Sequence, residues 1–365
     1  MKVPLIDLPA QTRPLRKAIL RDWAKALDTG AFIMGPQVKA FEAEAAKALG
    51  VKHAIACNSG TDALFILLRA LGVGPGDEVI VPAFSFFATA EAVSIVGAKP
   101  VFCDIEAGTF LLNLAELKKA ISRKTKAVIP VHLYGLPMDL NPLKKLLKGK
   151  KIAIVEDACQ AFGAKLGGLS CGAMGDGAAF SFYPTKNLSA AGDAGMMTTN
   201  RDDVAALCRQ LREHGSPKRY VHDHVGYNSR MDELQAIVLR HKLPRLAAWT
   251  AGRKKIASAY LRGLKGLPLQ LPPASSASVW HQFSLRVPGG RRDALKAHLQ
   301  SQGIASAVFY PGAMHRQRPY AWGAWHSPQA DLAAREVLCL PIFPQLKAAQ
   351  VRAVVQAIRG FFSRA

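Results

Sequence analysis

The stretch EVIVPAFSFFATAEAVSIVGAKPVFC, residues 78–103, holds a strand, a helix and a second strand in direct succession. Its two ends, EVIVP (78–82) and PVFC (100–103), are short apolar runs without polar alternation, which is typical of strands buried on both faces. Between them, ATAEAVSIV (88–96) has helical periodicity. A strand, a crossover helix and a second strand predict a parallel pair in a sheet that is covered by helices.

The same alternation runs from residue 51 to residue 200. Five further apolar runs predict strands: AIAC (54–57), AVIPV (127–131), IAIVE (152–156), AAFSF (178–182) and GMMTT (195–199). Helical patterns at 62–71 and 113–121 separate some of them. The sequence therefore predicts an α/β layer with a largely parallel sheet, and such sheets bind ligands beyond the carboxyl ends of their strands.

The pattern changes in the last third of the chain. A long helix is predicted over 232–264, with a kink at Pro244, and a Pro/Ser-rich connector follows at 268–278. A strand at 279–287, a helix at 291–302 and a final helix at 347–362 then predict a smaller α+β lobe. We expect a large domain over residues 1–250 and a small C-terminal domain over residues 251–365.

Composition and charge limit the class of protein. Half of the 365 residues are hydrophobic, which excludes a disordered chain and a disulfide scaffold. The net charge of +22 raises the alternative of a non-catalytic or regulatory basic binding protein, including a nucleic-acid binder. However, the cations form helix-face or loop clusters such as KKLLKGKK (144–151), with no zinc-finger or helix-turn-helix signature, so no nucleic-acid partner is expected.

Cysteine usage and hydropathy predict the cellular compartment of the protein. The six cysteines are scattered without a CxxC pair, which predicts reduced, mostly buried thiols and no metal site. The N-terminal segment lacks an apolar signal core, and no apolar run approaches the roughly 20 residues of a membrane span. We expect a cytoplasmic protein without a membrane partner.

Three polar features follow predicted strands and together suggest a cofactor. Gly60 and Thr61 begin a helix whose free N–H groups suit a phosphate, although most Ser-Gly-Thr turns are simple caps. Asp157 ends a strand, where alone it would more often cap a turn or pair with a lysine. Lys186 lies on a loop that can desolvate its amine. An anion cradle, a carboxylate and an amine are what pyridoxal phosphate requires, and Phe86 is the candidate ring that covers its face.

Several motifs in a fixed order carry a resemblance to a known family. The motifs are LIDLPAQ (5–11), GAFIMGPQV (30–38), NSGTDAL (58–64), PVHLYGLPMDL (130–140), VEDACQAFGA (155–164), SFYPTKNL (181–188), GYNSRMDELQA (226–236) and VFYPGAMH (308–315). The chain resembles the nucleotide-sugar aminotransferases of the DegT/StrS type, a branch of the fold type I pyridoxal-phosphate enzymes. This resemblance implies a three-layer αβα large domain with a mostly parallel seven-stranded sheet.

The resemblance also implies roles for residues at the cofactor. Lys186 would form the Schiff base and move the proton, and Asp157 would pair with the pyridinium nitrogen. The other implied contacts are Gln160 to the ring hydroxyl, Phe86 on the ring face, and Gly60, Thr61 and Ser181 to the phosphate. Asn228 would reach the phosphate of the neighbouring subunit's cofactor and Arg230 would help to build that site, which implies a homodimer with shared active sites.

Substrate contacts are implied at Tyr183 and Tyr310, with Lys218 and Arg219 facing the diphosphate, although an exposed basic loop is an equal alternative for those two cations. The implied reaction moves an amino group from an amino acid, glutamate by expectation, to a keto sugar of a nucleoside-diphosphate sugar in amino-sugar, surface-polysaccharide or glycoside biosynthesis. Lys186 favours transamination over the sugar dehydratase reaction of relatives with His at that position. The sequence GYNSRMDELQ (226–235) and Tyr183 favour amination at carbon 3 over carbon 4. Phe309 stands where many relatives have His, so the identity of the sugar does not carry over from those relatives.

Overall fold

The computed structural model describes residues 2–363. Its helices are α1 (Leu8–Thr12), α2 (Arg16–Thr29), α3 (Pro36–Leu49), α4 (Gly60–Ala70), α5 (Ala88–Ile95), α6 (Leu114–Ala120), α7 (Asn141–Leu147), α8 (Asp202–Leu211), α9 (Glu233–Lys242), α10 (Leu246–Gly263), α11 (Arg292–Ser301), α12 (Pro328–Glu336) and α13 (Ala348–Ser363). Its strands are β1 (His53–Cys57), β2 (Glu78–Pro82), β3 (Lys99–Cys103), β4 (Thr125–Val128), β5 (Ala153–Asp157), β6 (Lys165–Leu166), β7 (Leu169–Ser170), β8 (Gly177–Ser181), β9 (Gly195–Thr199), β10 (Phe283–Arg286) and β11 (Val337–Leu340).

Seven of these strands form the central sheet, in the order β1-β9-β8-β5-β4-β2-β3. They correspond to the seven apolar runs, so the prediction of seven strands is confirmed. The neighbours from β8 to β3 are parallel, whereas β9 runs antiparallel to both β1 and β8. The prediction of a mostly parallel sheet is therefore also confirmed, with β9 as the reversed strand.

Helices cover both faces of this sheet. Along β2, Val79 and Val81 pack into one apolar cluster and Ile80 packs into another, because successive side chains of a strand point to opposite faces. Helices α4, α5 and α8 supply the first cluster, and α3, α7 and α9 supply the second. The predicted three-layer αβα arrangement is confirmed.

The long helix predicted over 232–264 is interrupted where the sequence places Pro244. Helix α9 ends at Lys242, a 3-10 turn covers Leu243–Arg245, and α10 continues from there. Proline lacks the N–H that a continuous helix needs at this point. The predicted domain boundary after residue 250 falls inside α10, and the division of the chain into two domains stays a prediction.

A third apolar cluster lies around the two-stranded sheet of β10 and β11. It joins α10, α11 and α13 with these strands, and Val3 from the N-terminal segment packs into it. The strand predicted over 279–287 begins only at Phe283. The backbone of residues 279–282 bonds instead to Tyr134 and Gly135, in the turn that follows β4.

All six cysteines are free, and five of them are buried, as their scattered spacing predicted. No helix within residues 2–363 has both the length and the apolar character that crossing a membrane requires.

Candidate active site

A cavity of about 510 Å³ opens at the carboxyl ends of β5 and β8. Nine of the predicted site residues line it: Gly60, Thr61, Phe86, Asp157, Gln160, Ser181, Tyr183, Lys186 and Tyr310. The fold thus brings together residues that are far apart in the sequence at the sheet edge where ligands of parallel sheets bind.

The first turn of α4 forms one wall of this cavity. Ser59 caps the helix, and its Oγ accepts the N–H of Asp62 at 3.0 Å. The N–H groups of Gly60 and Thr61 lie in the first turn and so have no intrahelical acceptor. A Cβ atom at Gly60 would stand 2.7 Å from Cys159 Sγ and 2.8 Å from the Cβ of Ser181. This close backbone approach leaves a cradle of free N–H groups that suits a phosphate.

Asp157 ends β5 and is only 6% exposed. Its Oδ2 accepts a hydrogen bond from the Thr89 hydroxyl at 2.8 Å, and its Oδ1 accepts the N–H of Cys159 at 3.2 Å. Both donors are neutral, so they fix the carboxylate without compensating its charge. A buried carboxylate in this state is suited to a cationic group such as a protonated pyridine nitrogen.

Lys186 lies on the loop after β8 and its side chain is half-buried. The loop is held locally by the Lys186 N–H, which donates to the carbonyl of Tyr183 at 2.8 Å. Burial lowers the pKa of Lys186, and the nearby Cys159 and Asp157 oppose that effect only partly. A lowered pKa increases the neutral fraction of the amine, which is the nucleophilic form.

Gln160 links two parts of the wall. Its Oε1 accepts the N–H of Tyr134 at 2.7 Å, and its Nε2 donates to the Tyr310 hydroxyl at 3.1 Å. Burial and the neighbouring Asp157 raise the pKa of Tyr310, so its hydroxyl stays protonated. The Tyr310 ring lies 5.7 Å from the ring of Phe86, which is 54% exposed and open to a ligand.

Four predicted residues do not line the cavity of their own chain: Lys218, Arg219, Asn228 and Arg230. Lys218, Arg219 and Asn228 are exposed, and Arg219 stacks at 4.9 Å on the ring of Tyr220. The buried Ser229 next to Asn228 donates to Asp62 Oδ2 at 2.5 Å, which holds this segment beside the start of α4. The roles of Asn228 and Arg230 in a neighbouring subunit's site, and of Lys218 and Arg219 at the diphosphate, stay predictions.

The structure adds residues that the sequence analysis did not select. Thr89 bonds Asp157, and Tyr134, His281 and Gln282 line the cavity. Thr89 follows Phe86 by about one helical turn, a signal that was present in the sequence. His281 and Gln282 lie in a segment that the apolar pattern assigned to a strand, so nothing local marked them.

Within residues 2–363, one cluster of metal-binding residue types occurs, at His132, Glu156 and Cys171, with ligand atoms within 4.8 Å of one another. Glu156 already accepts hydrogen bonds from His132 Nε2 at 2.9 Å and from the backbone N–H groups of Gly172, Met174 and Gly175. Burial alone would raise the pKa of Glu156, but these hydrogen bonds outweigh it and the pKa is lowered. The carboxylate of Glu156 is thus fully engaged by donors of the protein itself.

Comparison with known proteins identifies close relatives. The model of the DegT/DnrJ/EryC1/StrS aminotransferase family matches residues 14–359. The chain is 48% identical over 360 residues to the UDP-N-acetyl-3-dehydro-alpha-D-glucosamine 3-aminotransferase of Acidithiobacillus ferrooxidans, covering 98% of this chain and 97% of that protein.

Two solved structures are similar to this chain over nearly its whole length. The structure of DesV from S. venezuelae in complex with a ketimine intermediate has a TM-score of 0.96 at 42% identity, covering 100% of this chain and 99% of that chain. The structure of NtdA from Bacillus subtilis with the bound cofactor PMP has a TM-score of 0.93 at 32% identity, covering 99% of this chain and 85% of that one.

Proposed function

The chain belongs to the DegT/DnrJ/EryC1/StrS aminotransferase family, and from this premise we propose that it transfers an amino group from glutamate to the carbon-3 ketone of a nucleoside-diphosphate sugar, with pyridoxal phosphate as its cofactor. The observation that carries the proposal is the convergence of Lys186, Asp157 and the α4 N-terminus on one cavity of about 510 Å³.

The cavity fits this cofactor at three separate points. The cradle at Gly60 exists because no side chain can be accommodated there, and it offers N–H groups to a phosphate. Asp157 offers a buried carboxylate that only neutral groups bond. Lys186 offers an amine of lowered pKa. When bound, the cofactor supplies an aldehyde carbon that takes up the amino group and a ring that accepts electrons.

The protein's own groups would hold and orient this cofactor. Gly60, Thr61 and Ser181 would bind the phosphate, and Gln160 would bond the ring hydroxyl. Phe86 would cover the ring face, since its side chain is the exposed aromatic at the cavity. Asp157 would keep a proton on the ring nitrogen, and the Thr89 hydroxyl at 2.8 Å fixes the direction of that carboxylate.

Lys186 would carry protons in both halves of the reaction. Its Nζ must be neutral to accept a proton from the substrate carbon, and burial supports this by lowering the pKa of Lys186. The loop that carries Lys186 starts at the end of β8, so the amine is held by a rigid sheet. This placement favours repeated proton transfer over the same short path.

The position of amination follows from similarity to a named enzyme. The relative that is 48% identical is a 3-aminotransferase of a UDP sugar, which supports carbon 3 over carbon 4 and makes a UDP-linked 3-keto sugar the first substrate to test. Tyr183 and Tyr310 line the cavity and offer hydroxyl groups to this sugar.

A second copy of the chain would complete the site. Within the part of the cavity wall that residues 2–363 supply, Lys186 is the sole lysine or arginine. A cofactor phosphate, a nucleotide diphosphate and the carboxylates of glutamate all require cations or further donors. We assign these to Asn228 and Arg230 of the neighbouring subunit, with Lys218 and Arg219 on an exposed loop as further candidates.

The proposal is tested by following each half-reaction on the purified holoenzyme. Glutamate should change the absorbance of the bound cofactor, and a UDP-3-keto sugar should reverse the change and yield an amino sugar. Lys186→Ala should lower the rate of both half-reactions by at least about a thousandfold. Lys150→Ala, at an exposed position, should leave both rates unchanged. A product with nitrogen on carbon 4 by NMR, or turnover by Lys186→Ala, would contradict the proposal.

A further inference from the structure

The segment of residues 279–282 has no regular structure but is fixed against the 3-10 turn Leu133–Gly135, which follows β4. The N–H of His281 donates to the carbonyl of Tyr134 at 2.9 Å, and the N–H of Val279 donates to the carbonyl of Gly135 at 3.0 Å. The His281 side chain, on a residue that is 6% exposed, lines the cavity that also contains Lys186. The segment therefore has one defined position relative to the active site.

A buried arginine holds the same segment from the opposite side. Arg253 is 2% exposed, and its Nη1 donates to the carbonyls of Trp280 at 3.2 Å and His281 at 3.4 Å. The same atom also bonds the carbonyl of Ile342 at 2.9 Å. The main chain that carries His281 is therefore held at both its N–H and its carbonyl.

Asn187 determines which nitrogen of His281 carries the proton. The Asn187 Nδ2 donates to the carbonyl of Val279 at 2.9 Å, which fixes the orientation of the amide. Its Oδ1 therefore faces His281 Nδ1 at 3.2 Å. An amide oxygen can only accept, so Nδ1 must be the protonated nitrogen. The other nitrogen, Nε2, then has a free lone pair when the ring is neutral.

The surroundings also keep this imidazole neutral. Burial lowers the pKa of His281 well below its usual range, and the positive charges of Lys186 and Arg253 add to that effect. Among residues 2–363, no group forms a hydrogen bond with Nε2. The cavity thus contains a neutral acceptor with a fixed tautomer that the enzyme itself leaves unused.

We infer that His281 is a sugar-recognition residue, whose Nε2 accepts a hydrogen bond from a hydroxyl or amide N–H of the keto sugar. The inference rests on the proposed function, because it assigns a role within that reaction. Both substrates enter the same cavity in turn, and they differ in the groups they present. The carboxylates of glutamate can only accept hydrogen bonds, and its amino group is the group taken up in the transfer, whereas a sugar presents hydroxyl donors that take no part in the transfer. Nε2 would therefore select the sugar and contribute nothing to the binding of glutamate.

Two substitutions, made in the holoenzyme, distinguish the roles of the two ring nitrogens of His281. In His281→Asn the amide lies near the position of Nδ1, so the contact with Asn187 can persist while the acceptor at Nε2 is lost. In His281→Gln the amide reaches the position of Nε2 and retains an acceptor there. We expect His281→Asn to raise the KM for the UDP-3-keto sugar about tenfold and to leave the glutamate half-reaction unchanged. His281→Gln should stay within about threefold of the wild type in both.

The matched controls are His298→Asn and His298→Gln. His298 also bonds through a ring nitrogen, at 3.1 Å to the carbonyl of Ala357, but it lies outside the active-site cavity. Both control variants should leave the KM for the sugar unchanged. Cofactor absorbance and thermal unfolding measured on all four variants identify any that are misfolded.

The outcomes separate the inference from the function on which it rests. If the wild type aminates no keto sugar, the proposed function fails and the inference fails with it. If the wild type is active and His281→Asn binds the sugar normally, the inference alone is wrong. A loss in His281→Gln but not in His281→Asn, or an equal loss in both half-reactions, would show that His281 acts as a structural anchor through Nδ1.

Discussion

Gly60 shows how the absence of a single side chain shapes the wall of the cavity. The residue begins α4, and its backbone lies against Cys159 and the end of β8 at Ser181. Because a Cβ atom would stand under 3.0 Å from both neighbours, the helix N-terminus reaches the cavity only with glycine at this position. The proposed phosphate cradle is therefore formed by the backbone.

Gly60→Ala should weaken cofactor binding and lower the free energy of unfolding by about 1–3 kcal/mol, since the added methyl group must displace backbone or buried atoms. Equilibrium dialysis of the cofactor and denaturation in urea measure the two effects. Gly360→Ala is the control, because no atom lies within 4 Å of its Cβ position in α13 and alanine favours a helix. Equal behaviour of the two variants would show that the cradle is not tightly packed.

The sequence was sufficient for some residues of the site and insufficient for others. Asp157 and Lys186 follow buried strands of a parallel sheet, and that position alone predicts a place at the ligand edge. His281 reaches the cavity only because residues 279–282 bond to Tyr134 and Gly135, more than 140 residues earlier in the chain. No periodicity within a segment encodes such a contact.

Among the elements, strands were more readily predicted than their directions. Short runs of apolar residues indicate strands buried on both faces, and all seven runs are strands of the sheet. The reversal of β9 is not visible in GMMTT, because an antiparallel strand covered on both faces has the same composition as a parallel one. The direction is set by the connection, since the loop after β8 returns without a crossover helix.

A buried ion pair joins two helices across β1. Arg212, which follows α8, is 4% exposed in its side chain and pairs with Glu42 of α3 at 2.6 Å. Arg212 Nη1 also donates to the carbonyl of Ala56, and Glu42 accepts the N–H of the same residue. The pair thus fastens α3 and the end of α8 to the strand that precedes the phosphate cradle.

Arg212→Met should lower the free energy of unfolding by about 3–5 kcal/mol, because Glu42 would keep a poorly solvated charge without a partner. The double variant with Glu42→Met should recover much of this loss. Denaturation in urea measures both. The exposed pair of Lys119 and Glu116 is the control, since its removal should cost less than about 1 kcal/mol. Additive losses in the double variant would show that the two charges do not interact.

At the scale of the whole molecule, the net charge of +22 does not indicate a specific binding partner, although its size raised that alternative. The lysines of the cluster at 144–151 are exposed and lie away from the cavity wall. The chain belongs to a family of aminotransferases, so the charge no longer requires a nucleic-acid partner. Composition could raise this alternative, and the positions of the cations together with the family of the chain weaken it.

Subunit mixing tests whether two chains share each active site. Lys186→Ala and Asn228→Ala should each be inactive alone, because each removes one part of every site. In a mixed dimer, the wild-type Lys186 of one chain meets the wild-type Asn228 of the other and restores one site of two. An equal mixture, unfolded and refolded together, should recover about one-quarter of wild-type activity.

The result depends on where Asn228 acts. If Asn228 served the cavity of its own chain, every mixed dimer would contain one defect in each site and the mixture would stay inactive. Wild-type protein refolded in the same way is the control for recovery. Sedimentation of the mixture checks that dimers have formed.

The reversal of β9 also affects which sequence changes this enzyme can tolerate near its active site. Ser181 and Gly195 are paired neighbours in the sheet, so the segment between them leaves and returns at almost the same point. The Phe182 N–H donates to the carbonyl of Ala194 at 2.8 Å and closes the base of this segment. Lys186 is therefore carried on a segment whose two ends meet in the sheet. Insertions or deletions between those two residues can therefore alter the chemistry while the sheet keeps its register, as long as the bond of Asn187 to the carbonyl of Val279 is retained.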